Sequence, residues 1–95
     1  MTIEFSGKIW FWRGPAPFYF VTVPEEPSLD IKAISNFVTY GWGVIPVEAR
    51  IGKTVFKTSL FPKDGRYLVP IKVSVRKAEK LELDDVVTVR LEVVK

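Results

Sequence analysis

The chain has 95 residues, 47% hydrophobic and 26% charged, ordinary globular usage that supports one modest core burying a little over ~60% of the unfolded surface. No stretch serves as a linker between smaller cores, so residues 1–95 are read as a single domain. Fourteen Lys and Arg against eleven Asp and Glu leave +3, a mild surplus without the dense basic clustering that by itself argues for nucleic acid or a membrane surface.

The zeros carry more. Without Cys there is no disulfide, thiolate nucleophile or sulfur-ligated metal, and without His there is no imidazole base and no common nitrogen ligand. Carboxylate, Lys, Tyr and hydroxyl chemistry remain. No cofactor and no metal are expected. Thr2-Ile3-Glu4-Phe5 alternates at once, without a basic leader or apolar signal region, and no run approaches the ~18 apolar residues of a membrane span. The expectations are no membrane partner and a cytoplasmic location.

From Thr2 to Trp12, Ile3, Phe5, Ile9 and Phe11 fall on one side of a period-two pattern, with Glu4, Ser6, Lys8, Trp10 and Trp12 on the other. This predicts a strand, with Gly7 marking a bend of the kind by which a small barrel turns its corner. Arg13-Gly14-Pro15-Ala16-Pro17 reads as a loop, and Phe18 to Val23, aromatic and β-branched, as the second strand of a hairpin.

Pro24-Glu25-Glu26-Pro27 stops that strand, and Ser28 is placed to cap a helix over about 29–40. Asp30 suits its first turn, Leu29, Ile31, Ile34, Phe37 and Val38 form its apolar stripe, and Gly41 and Gly43 end it. A stripe this apolar must cover one opening or face of the sheet.

Val44 to Ile51 alternates again, Gly52-Lys53 makes a turn, and Thr54 to Phe61 returns as a partner strand. Neither face of that strand is cleanly polar, which implies cover on both sides over part of its length. Pro62-Lys63-Asp64-Gly65 is read as a β-turn with Pro early and Gly last. Tyr67 to Arg76 alternates as a strand would, yet Pro70 has no amide for a ladder, and Ile71, Val75 and Ala78 also fit a short helix. Glu82 to Asp85 is an acidic turn, and Val86 to Val94 is the closing strand, with Val87, Val89, Leu91 and Val93 facing one way. Six strands in so short a chain close most simply into a small barrel, which removes exposed sheet edges.

The runs Trp42-Gly43-Val44-Ile45-Pro46-Val47, Ile51-Gly52-Lys53-Thr54, Thr58-Ser59-Leu60-Phe61-Pro62-Lys63-Asp64-Gly65, Tyr67-Leu68-Val69-Pro70-Ile71-Lys72 and Val75-Arg76-Lys77-Ala78-Glu79 resemble the prokaryotic family called domain of unknown function 1905. The aromatic first hairpin, Val23-Pro24-Glu25-Glu26 and Val86-Val87-Thr88-Val89 extend the resemblance from end to end. One departure is Asp84-Asp85, where such relatives typically have Gly-Asp. The resemblance implies a mainly β fold, a six-stranded double-split β-barrel shared with swapped-hairpin DNA-binding regulators, and a short helix over about 71–79. It implies no function, and a fold shared with DNA binders is analogy only.

Two surfaces are candidate ligand sites. Lys72, Arg76, Lys77 and Lys80 crowd four cations together, and on a helix Lys72, Arg76 and Lys80 line up at i, i+4 and i+8. Such a ridge, extended by Lys63 and Arg66, would give weak, salt-dependent nucleic-acid binding; the plainer reading is a solvated helix face balanced by Glu79 and Glu82. Trp10, Trp12 and Tyr19 fall on the less apolar face of the first hairpin, with Arg13 close by and Trp42 in a Gly-flanked loop. Exposed, these aromatics would stack bases or sugars or grip a protein; the plainer reading is that they complete a thin core.

Asp84-Asp85 with Glu82 lacks the spacing of a calcium loop and reads as a solvated turn, and Thr58-Ser59 has only lysines such as Lys57 or Lys72 as conceivable bases. Gly41-Trp42-Gly43 abandons the dinucleotide pattern at once. The expectation is a non-enzymatic binding or interaction module of unknown ligand, with a protein or weakly bound nucleic acid as partner and the oligomeric state open. The alternatives are nucleic-acid binding through the basic helix and, last, an enzyme using Lys or carboxylate chemistry.

Overall fold

The computed structural model describes residues 1–15, 18–38 and 44–93, with side chains up to residue 34 in the first helix. In chain order these are β1 (Thr2–Trp12), β2 (Phe18–Thr22), α1 (Glu25–Val38), β3 (Ile45–Ile51), β4 (Thr54–Lys63), β5 (Arg66–Pro70), α2 (Val73–Glu79) and β6 (Val86–Val93). The six strands are antiparallel neighbours in the closed order β1-β2-β5-β4-β3-β6. The chain is therefore mainly β, a closed six-stranded barrel with two helices, as the alternation and the resemblance imply.

Two long strands build the closure. Residues 2–8 of β1 pair with β6, and residues 9–12 pair with β2. Residues 54–60 of β4 pair with β3, and residues 61–63 pair with β5. Each long strand thus passes from one half-sheet, sheet A (β1, β6, β3, β4), to the other, sheet B (β1, β2, β5, β4). Gly7 stands where β1 changes partner. A Cβ there would lie 3.0 Å from Val21 Cγ1, so a larger residue would require Val21 to give by a few tenths of an ångström.

The inward positions obey the period-two reading. Phe5 and Ile9 of β1, Val47, Ala49 and Ile51 of β3, and Val87, Val89, Leu91 and Val93 of β6 are all buried in one cluster. Each such Val, Ile or Leu contributes about 1.5–3 kcal/mol by leaving water. Ile3 and Phe11, expected inside, are only half-buried at the two ends of β1. β4 is not covered on both sides as expected, since Val55 and Phe61 are exposed. The strand buried on both faces is β5, where Tyr67, Leu68, Val69 and Pro70 are all buried.

α1 begins four residues before the expected Leu29. Its first turn is Glu25-Glu26-Pro27, where the acids suit the positive end of the dipole and Pro lacks an amide that would be orphaned anyway. Ser28 is therefore not a cap. It lies inside the helix and is buried; its hydroxyl donates to the Val23 carbonyl at 3.1 Å and accepts the Tyr67 amide at 3.2 Å. Of the expected stripe, Ile31 is buried, Ile34 is half-buried and Leu29 is exposed. The expected last residues 39–40 and the terminating Gly41 and Gly43 lie outside the described residues.

The Pro70 conflict resolves to a helix that starts at Val73, two residues later than the resemblance implied. α1 packs against the β3 and β5 side of one end, where Ser28 meets Tyr67. α2 closes the other end, where β5 finishes, and the Thr54 hydroxyl donates to the Glu79 carboxylate at 2.6 Å. The expected Pro62–Gly65 turn moves by one residue, because Asp64 (φ 51°) and Gly65 (φ 80°) form the tight two-residue loop and leave Pro62 paired with Tyr67. No helix among the described residues is long and apolar enough to cross a membrane.

Candidate functional site

The four cations do not share one continuous helical face. α2 has seven residues; Lys72 precedes it with extended backbone (φ −65°, ψ 152°), and Lys80 closes it in the left-handed region (φ 55°, ψ 46°). Only Arg76 and Lys77 are helical. Lys72, Lys77 and Lys80 are exposed, but Arg76 is folded down, its guanidinium carbon 3.8 Å from the centre of the Tyr19 ring and its Nε buried with no partner among the described residues. Lys63 and Arg66 do not extend the group. They flank the β4–β5 turn, at the opposite end of β5 from α2, where Arg66 lies 3.7 Å from Glu25.

The register of the first hairpin also separates the aromatics. Phe11 faces Tyr19, whereas Trp10 faces Phe20 and Trp12 faces Phe18. Directly opposed residues share a face, so Tyr19 belongs with Phe11, 4.9 Å away and edge-on, and not with Trp10 and Trp12 as the sequence grouping has it. Trp42 lies outside the described residues.

On the outer face of sheet B, Phe20 is the hub. Trp10 stands 5.5 Å, Phe18 5.8 Å and Trp12 6.2 Å from it between ring centres. Trp10 is half-buried and spends its indole N–H on the Thr22 hydroxyl at 2.9 Å, which makes it a buttress. Trp12 is the presented ring. Its indole folds back over Gly14, where a Cβ would lie 1.7 Å from Nε1, so no other residue fits that loop position unchanged.

A twisted sheet is saddle-shaped, and one diagonal of its outer face is concave. On this face lies an open groove of about 470 Å³, with Phe20 and Leu68 as floor, Trp12 and Pro15 on one side and Phe61, Pro62 and Lys63 on the other. The Lys63 ammonium reaches across it to within 4.5 Å of the Trp12 ring centre. Phe20, Phe61 and Leu68 are residues that sequence reasoning did not assign to a site, and Lys63 was grouped with the basic ridge instead. Their signal was present in the apolar residues on both faces of the strand beginning at Thr54 and in the unbroken Phe18-Tyr19-Phe20-Val21 run.

The outer face of sheet A is built differently. Glu4 faces Arg90, Arg90 faces Arg50, Glu48 faces both Glu92 and Lys57, and the Ser6 and Thr88 hydroxyls bond at 2.9 Å. Among ionisable groups, burial pushes the Tyr67 phenol above its ordinary pKa.

A search of curated proteins finds no match. A family model matches residues 5–91, and the chain belongs to that family, Domain of unknown function (DUF1905).

Proposed function

We propose that the chain is a non-enzymatic binding module and that the groove on the outer face of sheet B receives its ligand. The observation that carries this reading is the contrast between the two outer faces of one barrel. Sheet A shows water mainly charged and hydroxyl pairs, with Val55 and Val86 as separate aliphatic side chains among them, whereas sheet B gathers Trp12 and Phe61, 36% and 43% exposed, over an aromatic floor. Leaving such side chains in water has a cost that a ligand or partner removes. A volume of about 470 Å³ falls within the roughly 300–1,000 Å³ of small-molecule sites.

The nucleic-acid reading has less support, because Arg76 has its ring-stacking face on Tyr19 and the remaining cations are not in one helical row. The enzyme reading has least, since among the described residues Lys63 is the one titratable side chain lining the groove and has no acid–base partner in that lining. A neutral probe tests the proposal: naphthalene-2-methanol titrated against tryptophan fluorescence should saturate with the wild-type chain and bind at least about tenfold more weakly to Phe61→Asp, which puts a charge in the wall. Absent saturation, or equal binding by the variant, would overturn it.

A further inference from the structure

We infer that this groove selects small, flat, apolar molecules carrying one anionic group, with aryl carboxylates as the chemical class. The inference rests on the groove being a ligand site, and it comes from an inventory of what the lining can bond. Trp12, Phe20 and Phe61 offer ring faces and edges, Leu68 a branched aliphatic floor, and Pro15 and Pro62 have no backbone N–H to donate. Among the described residues no lining side chain carries an oxygen, so none of them accepts a hydrogen bond. The polar side-chain groups that remain are both donors, the Trp12 indole N–H and the Lys63 ammonium, and the ammonium is the single charge. Sugars and nucleosides present many donors that would find no side-chain acceptor among these residues. A cation would meet Lys63. An anion meets a charge complement at the rim while its flat body lies along the aromatic walls.

The Lys63 ammonium is placed for this. Its cation–π contact with Trp12 holds it over the groove, and its carboxylate neighbour Asp64 is a weak competitor, 3.9 Å away with its side chain 88% exposed. Within the groove an incoming carboxylate gains the shorter, charge-assisted bond.

The test compares three probes of one shape, naphthalene-2-carboxylate, naphthalene-2-methanol and naphthalen-2-ylmethylammonium, by calorimetric titration of the wild type, Lys63→Gln and Phe61→Asp. The expected result is a carboxylate preference of about tenfold over the alcohol, with the ammonium weakest. Lys63→Gln should bring carboxylate and alcohol to equal affinity while leaving the alcohol within about twofold of wild type, and Phe61→Asp should weaken the alcohol and the carboxylate. Equal affinities in the wild type, or a carboxylate preference that survives Lys63→Gln, would overturn the anion inference and leave the groove reading standing. Failure of every probe, or binding indifferent to Phe61→Asp, would overturn both.

Discussion

The Lys63 ammonium lies 4.5 Å from the centre of the Trp12 ring, joining the last residue of β4 to the last residue of β1 across the mouth of the groove. An exposed cation–π contact is worth about 0.5–1 kcal/mol at most. Lys63→Ala should therefore lower stability in urea by less than about 1 kcal/mol. It should also free the indole, and the check is a red shift and stronger iodide quenching of tryptophan emission relative to wild type.

Ser28 is the buried polar side chain among the described residues. Ser28→Ala leaves the Val23 carbonyl and the Tyr67 amide without their buried partner. The expected loss is about 1–3 kcal/mol by chemical denaturation, even though Ala is the better helix former. A variant as stable as wild type would mean that α1 is not tied to β2 and β5 through this residue.

Three described residues with side chains, Asp64, Lys80 and Asp84, occupy left-handed positions that favour glycine, and the last two lie outside the hairpin turn. Lys80 ends α2 at φ 55°, with its own amide and that of Leu81 returning to helix carbonyls, and Asp84 sits at φ 69° in the Glu82–Asp85 turn, which the Asp85 amide closes onto the Glu82 carbonyl at 3.1 Å. Lys80→Gly and Asp84→Gly should each raise stability by roughly 0.5–1 kcal/mol, or a few degrees in melting temperature. The Asp84-Asp85 turn thus holds an aspartate in left-handed backbone, at some cost in stability.

Tyr67 gives the alkaline limit a signature. Burial raises its phenol pKa in the folded chain, so the unfolded chain loses that proton first as pH rises. Its neutral form is fully compatible with folding below the ordinary pKa near ~10, and stability falls as pH climbs from there towards the raised folded value. Tyr67→Phe keeps the ring in the core and should flatten that part of the decline. The check is the difference between the two denaturation profiles from pH 8 to 11.

Most of the architecture was legible because a barrel of short strands is written in period two, and Gly7, Gly52 and Pro70 punctuate it where chain geometry requires. What was not legible depends on pairing. Tyr19 could be assigned to a face only through its register with Phe11, and a five-residue loop leaves that register open in the sequence. Ser28 looked like a cap because its second partner, Tyr67, is 39 residues away. The groove was hidden for the same reason. Trp12, Phe20, Leu68 and Phe61 come from four strands and become neighbours only when β1 and β4 cross from one sheet to the other.

The most direct measurement is a two-dimensional amide and indole NMR titration of the isotope-labelled chain with naphthalene-2-methanol. The expected shifts concentrate on the Trp12 indole and on the amides of Phe20, Phe61, Lys63 and Leu68, with Arg50, Arg90 and Lys77 unmoved. Shifts centred on the Arg50–Arg90 face or on α2, or no saturable shift at all, would contradict the assignment of the groove as the ligand site.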